Sequence, residues 1–300
     1  VPDEALTGRH DPDGPDGSSA TYEHGDPRVV GDGQPSDIRL DPAQFGPPLT
    51  KPRIWWEIAL VLLVSLGASA IYSIVDIINL STLPKAISSQ TATLNPQQDS
   101  RQIFDFIDQI LGIAFDLAPV LLVCFLLWQT ARPHLARLGL DLRRPGRDTL
   151  VGVGLALLIG IPGIGLYFFG RAIGITVNVV PSPLNDTYWW TIPVLILSAI
   201  RSGLQEEVIV IGYLFERLRR LGWNRWTIIL GAAVLRGSYH LYQGIGAFFG
   251  NFVMGVLFGW LYTRYGRVLP LIIAHAIIDT AVFVGYPFAY AAWPGLFGGK

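Results

Sequence analysis

Glu206, Glu207, Arg236, His240, His275 and Asp279 all fall within segments that are otherwise apolar enough to cross a bilayer. Placing an Asp, Arg or Lys in the middle of a membrane helix costs about 2.5–3.5 kcal/mol, so several of them in neighbouring spans must meet one another and water. Their spacing says what they could do. Adjacent helix positions are about 100° apart, so Glu206 and Glu207 have different tasks, one facing a shared cavity and the other a neighbouring helix. Arg236 and His240 are four positions apart in a fifth span, as are His275 and Asp279 in a seventh, which puts each pair on one helix face. An Asp one turn beyond a His can accept its ring N–H, fix the tautomer and favour the imidazolium.

Carboxylates and imidazoles in such a setting suit three kinds of chemistry. One is hydrolysis by a water that a glutamate deprotonates. Another is a zinc site built from Glu206 or Glu207 with His240 and His275, two imidazoles and one carboxylate with an open position. The third is proton relay in a transporter, although the repeated halves usual there are not visible. Covalent catalysis is poorly supported, because Ser238 lies on another helix face from His240 and Ser202 has no evident base. Cys124 is the only cysteine and lies in an apolar run, which makes it a packing residue and excludes an intrachain disulfide. Asp76, Asp105, Asp108 and Asp116 are weaker candidates; Asp105 and Asp108 are expected at the outer interface, while Asp116 needs a hydrogen-bonding partner.

Spans must position these groups. The chain is 51% hydrophobic and only 15% charged, the composition of a polytopic membrane protein rather than a soluble domain. Apolar runs predict an all-α bundle of about seven spans, six to eight in range: 54–79, 103–128, 150–170, 188–204 running on as a helix to 218, 226–242, 247–262 and 268–290. Residues 1–50 are rich in Asp, Gly, Pro and Ser and predict a disordered tail, in which His10 and His24 are solvent-exposed. The tail lacks the basic start and apolar core of a secretory leader.

Arginines decide orientation. Lys51 and Arg53 precede the first span; Arg132, Arg137, Arg143, Arg144 and Arg147 follow the second; Arg217, Arg219, Arg220 and Arg225 follow the fourth; and Arg264 and Arg267 precede the seventh. The alternate loops hold only Lys85, Arg101 and Arg171, so the N-terminus is predicted to be cytoplasmic. Trp55, Trp56, Trp128, Tyr188, Trp189, Trp190 and Trp226 stand near span ends, at the headgroup level. The bilayer is therefore one partner. A net charge of −1 gives no reason to expect nucleic acid. Lys51, Lys85 and Lys300 are the only lysines among 22 basic residues, an arginine bias that hints at a bacterial plasma membrane.

The order Glu206-Glu207, then His240, then His275-x-x-x-Asp279, spread over three helices, resembles the CPBP family of intramembrane endopeptidases. That family includes type II CAAX prenyl endopeptidases and bacteriocin-processing or immunity (Abi) proteins. The resemblance covers residues 192–285. The family's first motif is Glu-Glu-x-x-x-Arg, and Ile211 stands where its arginine belongs; its second is Phe-x-x-x-His, with Arg236 in the phenylalanine position; its third, His-x-x-x-Asn or Asp, is matched. It implies a division into a 1–50 tail, N-terminal transmembrane helices over 51–187, a catalytic helical core over 188–290 and a 291–300 tail.

The resemblance also implies peptide-bond hydrolysis without a covalent intermediate, acting on a peptide or protein client that enters from the membrane or the cytoplasmic side. Glu206 would be the general base, holding water together with His240, and Glu207 would support Glu206 or pair with Arg236. His275, kept cationic by Asp279, would stabilise the oxyanion. No cofactor is needed on that mechanism; zinc held by Glu206, His240 and His275 is the alternative. Arg236 would supply the cation that Ile211 cannot, and without such compensation the chain would be a catalytically silent, immunity-type binding protein.

Overall fold

The computed structural model describes residues 49–127, 135–184, 187–293 and 295. The expected N-terminal tail with His10 and His24, most of the C-terminal tail, Trp128 and Arg132 lie outside these residues. Within them the helices are α1 (Lys51–Leu63), α2 (Leu66–Thr82), α3 (Gln102–Asp116), α4 (Ala118–Leu126), α5 (Pro145–Ala172), α6 (Thr191–Glu206), α7 (Leu214–Arg220), α8 (Arg225–Ser238), α9 (Ile245–Tyr265) and α10 (Leu269–Ala292). A π-helical segment, Glu207–Tyr213, joins α6 to α7 without a break. Two three-residue strands, β1 (Thr91–Thr93) and β2 (Asn178–Val180), pair in parallel, with Thr91 opposite Asn178.

This is a membrane-embedded helix bundle. Leu150, Leu157, Leu158, Ile161 and Ile164 of α5 and Ile71, Ile74, Val75 and Ile78 of α2 are all exposed. Apolar surface on that scale is stable only against lipid. Among the described residues four stretches are long and apolar enough to cross a membrane: 102–126, α5, α9 and α10. The α1–α2 pair, bent by 57°, makes a fifth if counted as one span.

The expected seven is therefore not reached, and the two missing spans are those nearest the chemistry. Helix α8 has 14 residues, which gives about 21 Å of rise against a hydrocarbon core of roughly 30 Å. The continuous helix 191–220 carries Arg201, Glu206, Glu207, Glu216 and Arg217, too many charges for a lipid-facing span. Its second half is enclosed instead: Val208, Ile209, Val210, Ile211, Tyr213 and Phe215 share a buried core with Ile228, Ile229, Phe258, Leu271 and Ile272.

The helix boundaries follow local chemistry. Asn224 caps α8 by accepting a hydrogen bond from the Thr227 amide. Gly266, at φ +64°, closes α9, and Pro270 opens α10. Helix α10 packs on α5 and α6, and α8 on α9. The α6–α10 approach depends on Gly203, where a Cβ would lie 3.0 Å from the Ile272 carbonyl oxygen. Basic residues at helix ends are tied down by ion pairs: Arg217 bonds Glu57 of α1, Glu216 and the Leu126 carbonyl, and Arg267 bonds Asp141 and Asp148.

Candidate active site

Glu206 ends α6 and Glu207 begins the π-helical segment. The sequence places the pair near the end of a span closing at 204 and runs the helix on to 218; the helix ends at 220, with the glutamates midway along it. The widened π turn follows directly on Glu206, and such single-turn bulges are frequent at functional sites. Both side chains are buried, Glu207 completely.

Glu207 is held from two sides. Arg236 Nη2 donates to its Oε1 at 2.8 Å, and His275 Nδ1 lies 2.8 Å from the same oxygen. A carboxylate only accepts, so the proton of that second contact belongs to Nδ1. Glu207 thus sets the ring orientation of His275, a task the sequence assigns to Asp279. Asp279 Oδ2 is farther away, 3.5 Å from Nε2. The stagger of one helical turn lets Asp279 reach the outer edge of the ring but not its inner nitrogen.

The two oxygens of Glu206 differ. Oε2 accepts from the Tyr239 hydroxyl at 2.7 Å, and Arg236 Nη2 and His240 Nε2 stand 3.2 and 3.8 Å from it. Oε1 faces His275 Nε2 at 4.0 Å, a separation spanned by one water rather than by a direct bond. His240 Nε2 is buried with no hydrogen-bond partner among the described residues, as are Arg236 Nε and Nη1 and Glu207 Oε2. Five polar side chains from α8, its following turn and α10 (Arg236, Tyr239, His240, His275 and Asp279) therefore gather around one carboxylate pair.

His240 reaches this cluster by a route the spacing does not show. Helix α8 stops at Ser238, and the His240 amide bonds the Gly237 carbonyl in a tight three-residue step at 3.1 Å. Arg236 and His240 are therefore not one helical turn apart, as the four-residue spacing predicts; the turn swings the imidazole towards Glu206. Arg236 is fully buried over the Phe258 ring, in room left by Gly255, where a Cβ would lie 3.2 Å from the arginine Cδ. Ile211 is buried in the apolar core.

Other candidates fall elsewhere. Ser238 is half-buried and donates to the Val234 carbonyl. Asp76 and Asp108 are exposed, whereas Asp105, expected at the interface, is buried and accepts from the Gln98 amide at 2.9 Å. Its place in the first turn of α3 and the folded-back 95–99 segment explain that burial. Asp116 pairs with Arg201 at 3.0 Å. Tyr239 and Arg201 were not candidates by sequence: a tyrosine at a span end reads as an interfacial anchor, and Arg201 belongs to none of the three motifs. Among the described residues no three His, Cys, Asp or Glu side chains are arranged to hold a metal ion.

Residues 188–281 match the family model described as type II CAAX prenyl endopeptidase Rce1-like. No curated protein and no solved structure matches the chain.

Proposed function

Taking residues 188–281 as an Rce1-like domain of the CPBP family, we propose that the chain is an integral-membrane endopeptidase that hydrolyses a client's peptide bond with water activated by Glu206. One observation carries this reading. Glu206 has one oxygen held by Tyr239 and flanked by Arg236 and by His240 Nε2 at 3.8 Å, while the other faces His275 Nε2 at 4.0 Å.

A water held at the Glu206 carboxylate, between Oε1 and His275 Nε2, loses its proton to Glu206 as it attacks the carbonyl carbon. General-base assistance of this kind supplies about 10²–10⁴-fold. His275, oriented by Glu207 through Nδ1, offers Nε2–H to the developing oxyanion, and Asp279 favours the protonated ring that can donate there. Each such donor contributes roughly 10²–10³-fold. Glu206 then returns its proton to the departing amine. Glu207 and Arg236 position the other groups and take no part in proton transfer. No metal enters this scheme, and chelation should leave the rate unchanged; a chelator-sensitive rate restored by zinc would assign the water to a metal held by Glu206, His240 and His275.

The basic helix ends mark the cytoplasmic side by the positive-inside rule, which orients residue 51 and the preceding tail towards the cytoplasm of a bacterial plasma membrane. The client enters from the membrane or the cytoplasmic side. A prenylated-cysteine peptide and its unprenylated counterpart test whether the substrate class in the family's name extends to this chain. Peptide-level comparison of membranes from cells carrying the wild-type protein or Glu206→Ala tests the activity itself: new C-terminal fragments should appear with the wild type only. Identical fragment sets would point to a non-hydrolytic binding protein or transporter.

A further inference from the structure

Beyond α8 the chain makes a short turn, Leu241–Gln243, in which the Gln243 amide bonds the His240 carbonyl at 3.0 Å and the Gly244 amide bonds the Leu241 carbonyl at 2.8 Å. This turn is fastened from the segment that leads into β2. The Val177 amide donates to the Gln243 carbonyl at 3.1 Å, the Gly246 amide donates to the Ile175 carbonyl at 3.3 Å, and Thr176 forms a bridge with Gly244. Gly244 sits at φ +101°, and a Cβ there would lie 2.5 Å from the Ile175 carbonyl oxygen, so only glycine permits the approach. On the other side of the turn, the buried Ser73 hydroxyl of α2 donates to the Tyr239 carbonyl at 3.0 Å. The backbone that carries His240 and Gln243 is therefore pinned before and after both residues.

Within the turn the Gln243 side chain reaches back to the imidazole. Its Nε2 donates to the Tyr242 hydroxyl oxygen at 2.8 Å and lies 3.5 Å from His240 Nδ1. The second contact is long, as hydrogen bonds at reactive groups commonly are before substrate arrives. An amide nitrogen carries two hydrogens, so it can serve both partners at once. The far edge of the ring decides which amide atom belongs there. His240 Nε2 is 3.8 Å from Glu206 Oε2, and a carboxylate only accepts, so the neutral ring is favoured with its proton on Nε2. Nδ1 is then a lone pair, which an amide N–H complements and an amide oxygen would repel. The Nε2 atom is buried without a partner among the described residues, so its N–H is a donor left open beside the reactive carboxylate.

We propose that Gln243 is a positioning residue that keeps the neutral His240 ring protonated on Nε2, so that His240 donates a hydrogen bond to the reacting oxygen and leaves proton transfer to Glu206. This deepens the hydrolase reading and rests on it. The oxygen is that of the attacking water or of the client's carbonyl, either of which accepts through a lone pair. No proton changes hands at His240: the water's proton goes to Glu206 and from there to the leaving amine, and the imidazole starts and ends the cycle in one form. The His240 ring packs on that of Tyr239 with centroids 4.9 Å apart, and the Tyr239 hydroxyl holds Glu206, so donor and base share one support. The opposite tautomer is mismatched at both edges, with Nδ1–H against the Gln243 amide hydrogens and the Nε2 lone pair against a carboxylate. A metal bound through Nε2 would require that opposite tautomer.

Nitrogen NMR spectra of the full chain in detergent, isotopically labelled at histidine, read the tautomer without reference to activity; the His240 signals are those that His240→Asn removes. At alkaline pH the wild-type ring should carry its proton on Nε2. Gln243→Met keeps the length of the side chain and loses the donor, and should give a mixture of tautomers. Gln243→Glu places an acceptor at Nδ1 and should draw a proton there. With the peptide pair described above, Gln243→Met should lower kcat about tenfold and leave KM nearly unchanged, because the bond from Nε2 matters most as charge develops on oxygen. A wild-type proton on Nδ1 would overturn the assignment and leave Nε2 free to bind a metal. Gln243→Met with the wild-type tautomer, or with a mixed tautomer and an unchanged kcat, would overturn it as well. The expected tautomers in a chain that cleaves no peptide would leave Gln243 in its role and overturn the hydrolase reading instead.

Discussion

Arg236 Nη2 stands 2.8 Å from Glu207 Oε1, and neither side chain has any exposed surface. A buried pair of this kind is costly to break and cheap to replace as a unit. Removing one partner leaves an uncompensated charge, worth about 3–5 kcal/mol of destabilisation, whereas apolar replacement of both can be nearly neutral. We expect Arg236→Met and Glu207→Met each to lose stability heavily, and the double variant to lose much less than their sum. Unfolding of the four proteins in detergent checks this, and additive losses would mean the two charges do not depend on each other.

On the proposed reading, the same arginine supplies the cation that Ile211 cannot. Arg236→Phe should abolish most activity, and adding Ile211→Arg should restore part of it, because a guanidinium one turn beyond Glu207 can approach that carboxylate from its own helix. The comparison is the cleavage rate of Arg236→Phe with and without the second change. No gain from the second change would show that Arg236 does not replace the missing arginine.

Tyr239 donates to Glu206 Oε2 at 2.7 Å. Tyr239→Phe deletes that hydroxyl and leaves the ring, so stability should fall by only about 1 kcal/mol. The rate should fall about tenfold, since Glu206 can then turn its reactive oxygen away from His275. A rate unchanged by the substitution would show that Arg236 alone orients the carboxylate.

The bundle and the six charged or imidazole groups of the site were legible in the sequence because ionisable residues inside apolar runs are conspicuous. What escaped depended on geometry that spacing does not encode. Val208–Ile211 reads as plain α-helix, so nothing in the residue types announces the π turn that follows Glu206. The Arg236-to-His240 spacing suggests one helix face, yet the helix ends at Ser238, because where carbonyls tighten into a three-residue step is decided by packing rather than composition. The assignment of Asp279 as the residue orienting His275 took a helical neighbour over a residue of another helix, Glu207, which comes closer. The structure does not confirm the seven-span count for a related reason: α8 is short and residues 208–215 are apolar because protein encloses them, and hydropathy alone does not distinguish protein from lipid.

The most direct measurement is the single-turnover cleavage rate of purified Glu206→Gln beside the wild type, on a client identified by the fragment comparison. The substitution keeps the shape of the side chain and its contact with Tyr239, and removes only the ability to take a proton. A loss of about 10³-fold, with unfolding behaviour preserved, is the result expected of a general base. A rate within tenfold of wild type would contradict water activation by Glu206.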